Sequence, residues 1–283
     1  MSKAARRVRG ESQKKIVELI EGLSGRYSAW EIWQDFIVMS ALSIANAFPH
    51  PKLEDDKAEY QRRAEKYTPA ELEAIAQMFA ETVNALEENP DQDFLGDLFM
   101  SLELGDSWKG QFFTPYCICQ AMAEIKCGNI KDLVEEKNWI SAGDPACGAG
   151  ALLVAFANVC LRQKVNYQTS VLFVAQDIDF LAGCMCYIQL SLLGCPGYVA
   201  IADTLAHPAV SFDTRGLLPK ENQRILYMPM FFSDIWAGRR ICAKMDLFCQ
   251  SMTVKSRKQT VKDPEPVPEA ELKETPTGQL SLF

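Results

Sequence analysis

The sequence lacks any apolar run long enough to cross a lipid bilayer. Its longest apolar stretch lies around residues 151–161, which is the length of a helix in a protein core. The first residues are basic and polar, and no apolar segment follows them, so no signal peptide is predicted. These absences predict a cytoplasmic protein without a membrane association.

Histidine is scarce, which limits the metal sites that the chain can form. Only His50 and His207 are present, and the 10 cysteines include Cys-x-Cys pairs at 117–119 and 184–186 that do not have zinc-site spacing. Cysteines of a cytosolic protein stay reduced, so we expect them to pack as small apolar residues. The sequence therefore predicts no metal site.

An excess of positive charge is also missing. The formal net charge is −8, which argues against a dedicated, strongly basic nucleic-acid binder. The first fifteen residues are nevertheless basic, with only Glu11 opposing, so DNA contact through a local patch stays open. A frayed and solvated terminus is the simpler explanation of the same residues.

Apolar periodicity predicts a helical N-terminal region over residues 1–108. Residues 11–48 repeat apolar side chains at helical spacing, while residues 52–66 are charged and predicted to be exposed. Thr68, Pro69 and Glu71 form the start signal of a helix that runs to about residue 88. A further helix is predicted over residues 94–104.

Strand and helix patterns alternate over residues 109–250. Strands are predicted at 139–142, 171–175 and 198–201, with helices at 115–126, 151–162 and 179–193. This alternation predicts βαβ units and a doubly wound parallel sheet. Asp144, Asp177 and Asp203 each follow a strand directly, so all three should lie at the edge where such sheets bind ligands. The proline-rich, charged residues 251–283 are predicted to form a disordered tail.

A glycine turn lies between the first predicted strand and its helix, at residues 144–150. Gly148 and Gly150 let such a turn close, and the following helix presents backbone N–H groups to a ligand. Leu153 replaces the third glycine of the dinucleotide fingerprint, and no phosphate-binding lysine follows. Asp144 at the entry favours a cationic amine over a phosphate. A plain structural turn is the alternative explanation.

Three more segments accompany this turn in a fixed order. They are Gly-Gln-Phe-Phe-Thr-Pro at 110–115, Gln-Asp-Ile-Asp at 176–179 and Ala-Asp-Thr-Leu at 202–205. In this order the segments resemble the N6-adenine DNA methyltransferases, in particular the modification subunit of type I restriction systems. The resemblance covers about residues 110–205. It implies a Rossmann-like, class I S-adenosylmethionine-dependent methyltransferase fold.

The resemblance implies S-adenosylmethionine as the methyl donor. Asp144 would pair with its amine, Asp177 with its ribose hydroxyls, and Asp203 with its adenine amino group. The donor site implied by the resemblance consists of Phe112, Phe113, Thr114, Pro115, Asp144, Pro145, Ala146, Gly148, Gly150, Asp177, Ile178 and Asp203. Core packing is an equal alternative for the two phenylalanines, and a helix N-cap is favoured for Asp179.

The family's acceptor motif, a polar residue followed by Pro-Pro and an aromatic residue after the fourth strand, has no complete counterpart. The nearest candidate is Met228-Pro229-Met230-Phe231, after the apolar residues 224–227. Phe231 would stack on a flipped base, but Met228 offers no amide or carboxylate acceptor. Only about 47 residues separate Asp203 from the tail, so we expect an incomplete sheet and weak or partner-dependent methyl transfer.

The last five residues, 279–283, resemble the pentapeptide by which bacterial proteins bind the replication sliding clamp. Gln279 would form a hydrogen bond, and Leu280, Leu282 and Phe283 would act as apolar anchors. An incidental apolar terminus is the alternative. Three functions stay open for a protein encoded by a bacterium or a mobile element. They are a DNA adenine-N6 methyltransferase that is active alone or with a specificity or modification partner chain, an inactive donor-binding protein tethered to the clamp, and a domain with a vestigial pocket.

Overall fold

A computed structural model describes residues 8, 10–102, 113–209, 215–220, 223–260, 273–274 and 280–281. The chain divides into two compact units, Met1–Arg240 and Ile241–Phe283. The first unit contains both the N-terminal helices and the sheet, which share one hydrophobic core. The helical region and the α/β region, which the sequence divides at residue 108, thus fold around the same core.

The N-terminal region is helical, as its periodicity predicts. Its described helices are α1 (Glu11–Leu23), α2 (Ala29–Ala45), α3 (Leu53–Ala64), α4 (Pro69–Glu88) and α5 (Phe94–Ser101). Thr68 and Glu71 form the expected capping box at the start of α4. Helix α3 lies in the segment that was expected only to be charged and exposed. Its acidic first turn and basic last turn complement the helix dipole.

Helices and strands alternate in the second part of the first unit. The elements in chain order are α6 (Tyr116–Cys127), α7 (Ile130–Lys137), β1 (Ile140–Asp144), α8 (Ala151–Arg162), α9 (Tyr167–Ser170), β2 (Val171–Asp177), α10 (Phe180–Leu192), β3 (Gly197–Ile201) and β4 (Arg224–Tyr227). The three predicted strands are present. Every residue of β2 from 171 to 176 is buried, so this strand is covered on both faces of the sheet.

The sheet is open and has the order β1-β2-β3-β4 in the described part of the chain. The first three strands are parallel, with Asp144 opposite Ala175 and Asp177 opposite Ile201. Strand β4 runs antiparallel to β3. The architecture is thus a Rossmann-like α/β fold with a short sheet, as the sequence predicts. The antiparallel direction of β4 is an addition that the sequence did not indicate.

Helix α10 joins the two parts of the first unit. All of its residues from 182 to 190 are buried, which leaves no solvent-facing side over that stretch. It contacts β2 and β3 as well as α2 and α5. A polar contact adds to this interface, because the Arg224 guanidinium of β4 donates to buried Asp56 of α3 at 2.6 Å.

The last helix, α11 (Asp234–Thr260), runs past residue 251, where the disordered tail was predicted to begin. The sequence contains no proline between 230 and 263 to end a helix there. Farther along, β5 (Lys273–Glu274) pairs antiparallel with β6 (Leu280–Ser281). Among the described helices, none combines the length and the apolar composition needed to cross a membrane.

Candidate functional site

A cavity of about 410 Å³ lies at the carboxyl edge of β1 and β2. It collects side chains from the glycine turn, from both strand ends and from helices α5, α6 and α8. The described residues that line it are Asp93, Phe113, Thr114, Cys119, Met122, Asp144, Ala146, Cys147, Gly148, Ala149, Ala151, Leu152 and Asp177. The cavity thus lies at the edge where the strand ends and the glycine turn predict a ligand site.

The glycine turn adopts a backbone that requires glycine at two positions. Gly148 has φ +54°, and a Cβ there would lie 3.0 Å from the ring of Phe113. Gly150 has φ +96°, and a Cβ there would lie 2.8 Å from the sulfur of Cys186. A side chain at either position would thus be strained and would also meet a neighbour. Helix α8 begins directly after Gly150, and no described side chain caps its N-terminus.

Asp177 fixes the turn from the end of β2. One carboxylate oxygen accepts a hydrogen bond from the N–H of Gly148 at 2.8 Å, and the other accepts from the N–H of Asp179 at 2.9 Å. A carboxylate has about four acceptor sites, so Asp177 retains capacity to accept from ligand hydroxyls. Asp179 caps α10 through the N–H of Ala182, as expected.

Asp144 lies at the end of β1 in the same cavity. Its carboxylate accepts from the N–H of Ala146 at 3.1 Å. Burial, together with the nearby charge of Asp177, raises the pKa of Asp144. A cationic ligand in the cavity would stabilise the ionised form of Asp144.

Asp93 is a third carboxylate in the cavity, and the sequence reasoning missed it. It is the N-cap of α5 and is 1% exposed. Burial raises its pKa to about 6, although hydrogen bonds from Gln189 and the N–H of Gly96 oppose this. Gln189 also donates to the carbonyl of Ala149, so the same network supports the glycine turn. The position before a predicted helix was a visible cap signal, but nothing showed that α5 borders the cavity.

The remaining residues predicted to bind the methyl donor do not line the described cavity. Asp203 is exposed at the end of β3, and its carboxylate accepts from the N–H groups of Leu205 and Ala206. Ile178 is 71% exposed. Pro145 is exposed, and its carbonyl accepts from the hydroxyl of Thr204. Exposed Pro115 precedes α6, and Phe112 lies outside the described residues.

The predicted acceptor motif lies at the opposite edge of the sheet. The N–H of Met228 donates to the carbonyl of Gly197, which is the amino end of β3. This placement follows from the antiparallel direction of β4, which leads the chain away from the cavity. Met228 is fully buried, and Phe231 is 4% exposed and stacks on Tyr227. Met228, Pro229 and Phe231, which the sequence predicts for catalysis, thus belong to the core and its rim and lie away from the cavity.

Comparison with known families decides between the classes of protein that use such a site. Residues 91–260 match the family model described as N-6 DNA Methylase. The chain belongs to the N-6 DNA methylase family. S-adenosylmethionine is the methyl donor that this membership implies. The matched region begins just before Asp93, so it includes all three carboxylates of the cavity.

A solved structure is also similar to this chain, at low sequence identity. One similar solved structure is described as a class I S-adenosylmethionine-dependent methyltransferase from Listeria monocytogenes. The identity is 16% and the TM-score 0.35, with 75% of this chain and 56% of the other chain covered, so the chain spans little more than half the length of that protein. A comparison with curated proteins gives no match.

The described cavity fits the methyl donor of the family. Its three carboxylates suit a ligand that carries an ammonium and a sulfonium group. Ala151 and Leu152, in the first turn of α8, line the cavity beside an N-terminus that lacks a described side-chain cap. Uncapped N–H groups at a helix N-terminus suit the donor's carboxylate.

Proposed function

We propose that this chain binds S-adenosylmethionine in the cavity at the ends of β1 and β2, as the donor-binding chain of a DNA adenine-N6 methylation system. The observation that supports this proposal is the convergence of Asp93, Asp144 and Asp177 on one glycine turn. Membership of the N-6 DNA methylase family supports the same donor.

Each element of the cavity has a proposed role toward the donor, whose sulfonium supplies the methyl group. Asp177 accepts from the ribose hydroxyls, and Asp144 pairs with the amine. The N-terminus of α8 faces the carboxylate. Asp203, one strand farther along the same edge, accepts from the adenine amino group, and Ile178 covers the adenine ring. Asp93 adds negative charge beneath the cationic part of the donor.

We propose that adenine methylation requires groups from a partner chain. The described cavity lining contains carboxylates and apolar residues, and the chain's closest sequence match to an acceptor motif lies at the other edge of the sheet. The isolated chain should therefore transfer methyl groups to DNA very weakly. Contact with DNA would come from the partner or from the basic N-terminal residues.

Calorimetric titration with S-adenosylmethionine tests the donor site. Asp177→Asn should weaken binding at least tenfold, because it loses charge and an acceptor that face the ribose. Asp179→Asn is the matched control, since asparagine also caps helices and Asp179 is engaged with the N–H of Ala182. Thermal unfolding of both variants shows whether the turn is intact. Equal affinity of the two variants, or no binding by the wild type at millimolar donor, would contradict the proposal.

We also propose a tether to a bacterial replication sliding clamp through residues 279–283. The complete pentapeptide at the chain end favours this function. Leu280 lies in β6, while Gln279, Leu282 and Phe283 lie outside the described residues. A labelled peptide of residues 272–283 should bind a bacterial clamp at roughly micromolar concentration. Binding that persists after Leu282→Ala and Phe283→Ala together would show that the likeness is incidental.

A further inference from the structure

Strand β1 forms an outer edge of the sheet in the part of the chain that the structure describes. It pairs on one side with β2, from Ile140 opposite Val171 to Asp144 opposite Ala175. A strand at a sheet edge presents a row of backbone N–H and C=O groups on its other side, which can pair with a further strand. This edge leads directly to the donor cavity, because β1 ends at Asp144.

A groove of about 520 Å³ lies beside this edge and includes Ile140 and Ser141 of β1. Apolar side chains from α7 and α8 give it an apolar wall: Ile130, Leu133 and Phe156. Basic side chains stand at its exposed positions: Lys126, Lys137 and Arg215. None of the described residues that line the groove is acidic. The groove is thus locally positive on a chain whose formal net charge is −8.

We propose that a β-strand of a partner protein pairs with β1 along this groove, with apolar side chains at alternate positions and acidic side chains at its ends. The open strand edge calls for an extended backbone. The apolar wall suits every second side chain of such a strand. The basic side chains of the groove complement acidic residues that flank it. Lys126 and Lys137, both exposed, are placed to meet these acidic residues.

Two other occupants fit less well. A second copy of this chain, paired through its own β1, would bring two sets of the same basic side chains together, which electrostatics disfavours. A DNA backbone would suit Lys126 and Lys137, but it would cover apolar Leu133, which is 40% exposed, without any apolar partner. A partner strand with acidic ends pairs with the lysines and also covers the apolar wall of the groove.

The proposed strand explains how the donor cavity becomes complete. A strand that pairs with β1 reaches the carboxyl edge next to Asp144, where the described chain supplies no acceptor motif. The partner can therefore bring its own groups to the transferred methyl. Delivery of partner groups to the methyl group rests on the proposed function. Binding of a strand to β1 can be measured without the donor, so either proposal can fail while the other stands.

Designed peptides and the full chain test this surface by fluorescence anisotropy. The probe is a labelled nonapeptide with valine and threonine alternating and two glutamates at each end. We expect the probe to bind at tens of micromolar. Its affinity should fall at least tenfold when the central valine is replaced by proline or when the glutamates are replaced by lysines. The combined variant Lys126→Glu and Lys137→Glu should bind the acidic peptide with at least tenfold lower affinity. Lys131 lies on α7 with Lys137 but outside the groove lining, so Lys131→Glu should change the peptide affinity by less than twofold.

Amide hydrogen exchange distinguishes strand pairing from mere charge attraction. Saturation with the acidic peptide should slow exchange in Ile140–Asp144. The proposal is overturned if no peptide binds at several hundred micromolar, or if the proline peptide binds as well as the probe. It is also overturned if the combined variant binds a 30-base-pair DNA duplex more weakly but binds the peptide as the wild type does. The same holds if the wild type is a dimer and the combined variant is a monomer.

Discussion

Asp93→Asn should stabilise the protein at neutral pH. Burial raises the pKa of Asp93 from its ordinary value of 3.8 to about 6, so the ionised form is unfavourable in the folded state. Between these pH values the folded protein retains a proton that the unfolded chain has lost, and stability falls as the pH rises. The loss of folding stability caused by ionised Asp93 is fully present above about pH 6. A shift of this size corresponds to roughly 3 kcal/mol.

Asparagine retains the structural contacts of Asp93. Its side-chain oxygen can accept from Gln189 and from the N–H of Gly96, both of which now donate to the same carboxylate oxygen. The variant therefore removes the charge and preserves the cap of α5. Urea unfolding of both proteins from pH 4 to pH 8 measures the effect. The stability difference should grow by roughly 3 kcal/mol in favour of the variant between pH 4 and pH 7.

The same substitution should weaken donor binding. A cationic donor stabilises the ionised form of Asp93, so wild-type affinity should rise as the pH increases from 5 to 7.5. Asp93→Asn should bind more weakly and show a smaller dependence on pH. The exposed Asp132→Asn is the control and should change neither quantity. A stability difference that is constant with pH, or unchanged donor affinity, would refute this account of Asp93.

Three further substitutions test other parts of the structure. Gly148→Ala should cost about 1–3 kcal/mol in thermal unfolding because of its positive φ and the Phe113 ring, whereas Gly22→Ala, with open space around it, should stabilise α1 by about 0.5 kcal/mol. Phe231→Ala should lower the free energy of unfolding by about 3–5 kcal/mol and leave the donor affinity measured by calorimetry unchanged. Loss of methyl transfer without loss of stability would contradict a core role for Phe231. Asp35→Ala should lower the free energy of unfolding in urea by about 1.5–3 kcal/mol, since Arg63 and Lys66 lose a buried acceptor while Arg63 keeps Glu59; a smaller loss would show these ion pairs to be dispensable.

The sequence predicted that Asp144 and Asp177 share one edge of the sheet because local rules determine their placement. Parallel strands end at one edge, so Asp144 and Asp177 had to lie near each other once the alternation was recognised. The glycines of the turn were also visible, because positive φ and close contacts require them at 148 and 150. The glycine turn and the strand ends are recognisable from local sequence, although the contacts of Gly148 and Gly150 with Phe113 and Cys186 are tertiary.

Features that depend on tertiary contacts were not predictable. Four residues of β4 carry no information on strand direction, so the antiparallel pairing and the placement of Met228 could not be read from the pattern. Apolar periodicity showed that α2 is buried but did not identify α10 as its neighbour, so the core that the two regions share could not be predicted. Asp93 could be recognised as a cap, but its position in the cavity depends on how α5 packs.

A crystal structure of the full chain with S-adenosylhomocysteine tests the central claim most directly. We predict density in the cavity at the ends of β1 and β2, with the amine within hydrogen-bond distance of Asp144 and both ribose hydroxyls within reach of Asp177. Density for the ligand at another surface, or an empty cavity in crystals soaked at millimolar concentration, would contradict the donor site proposed for this chain.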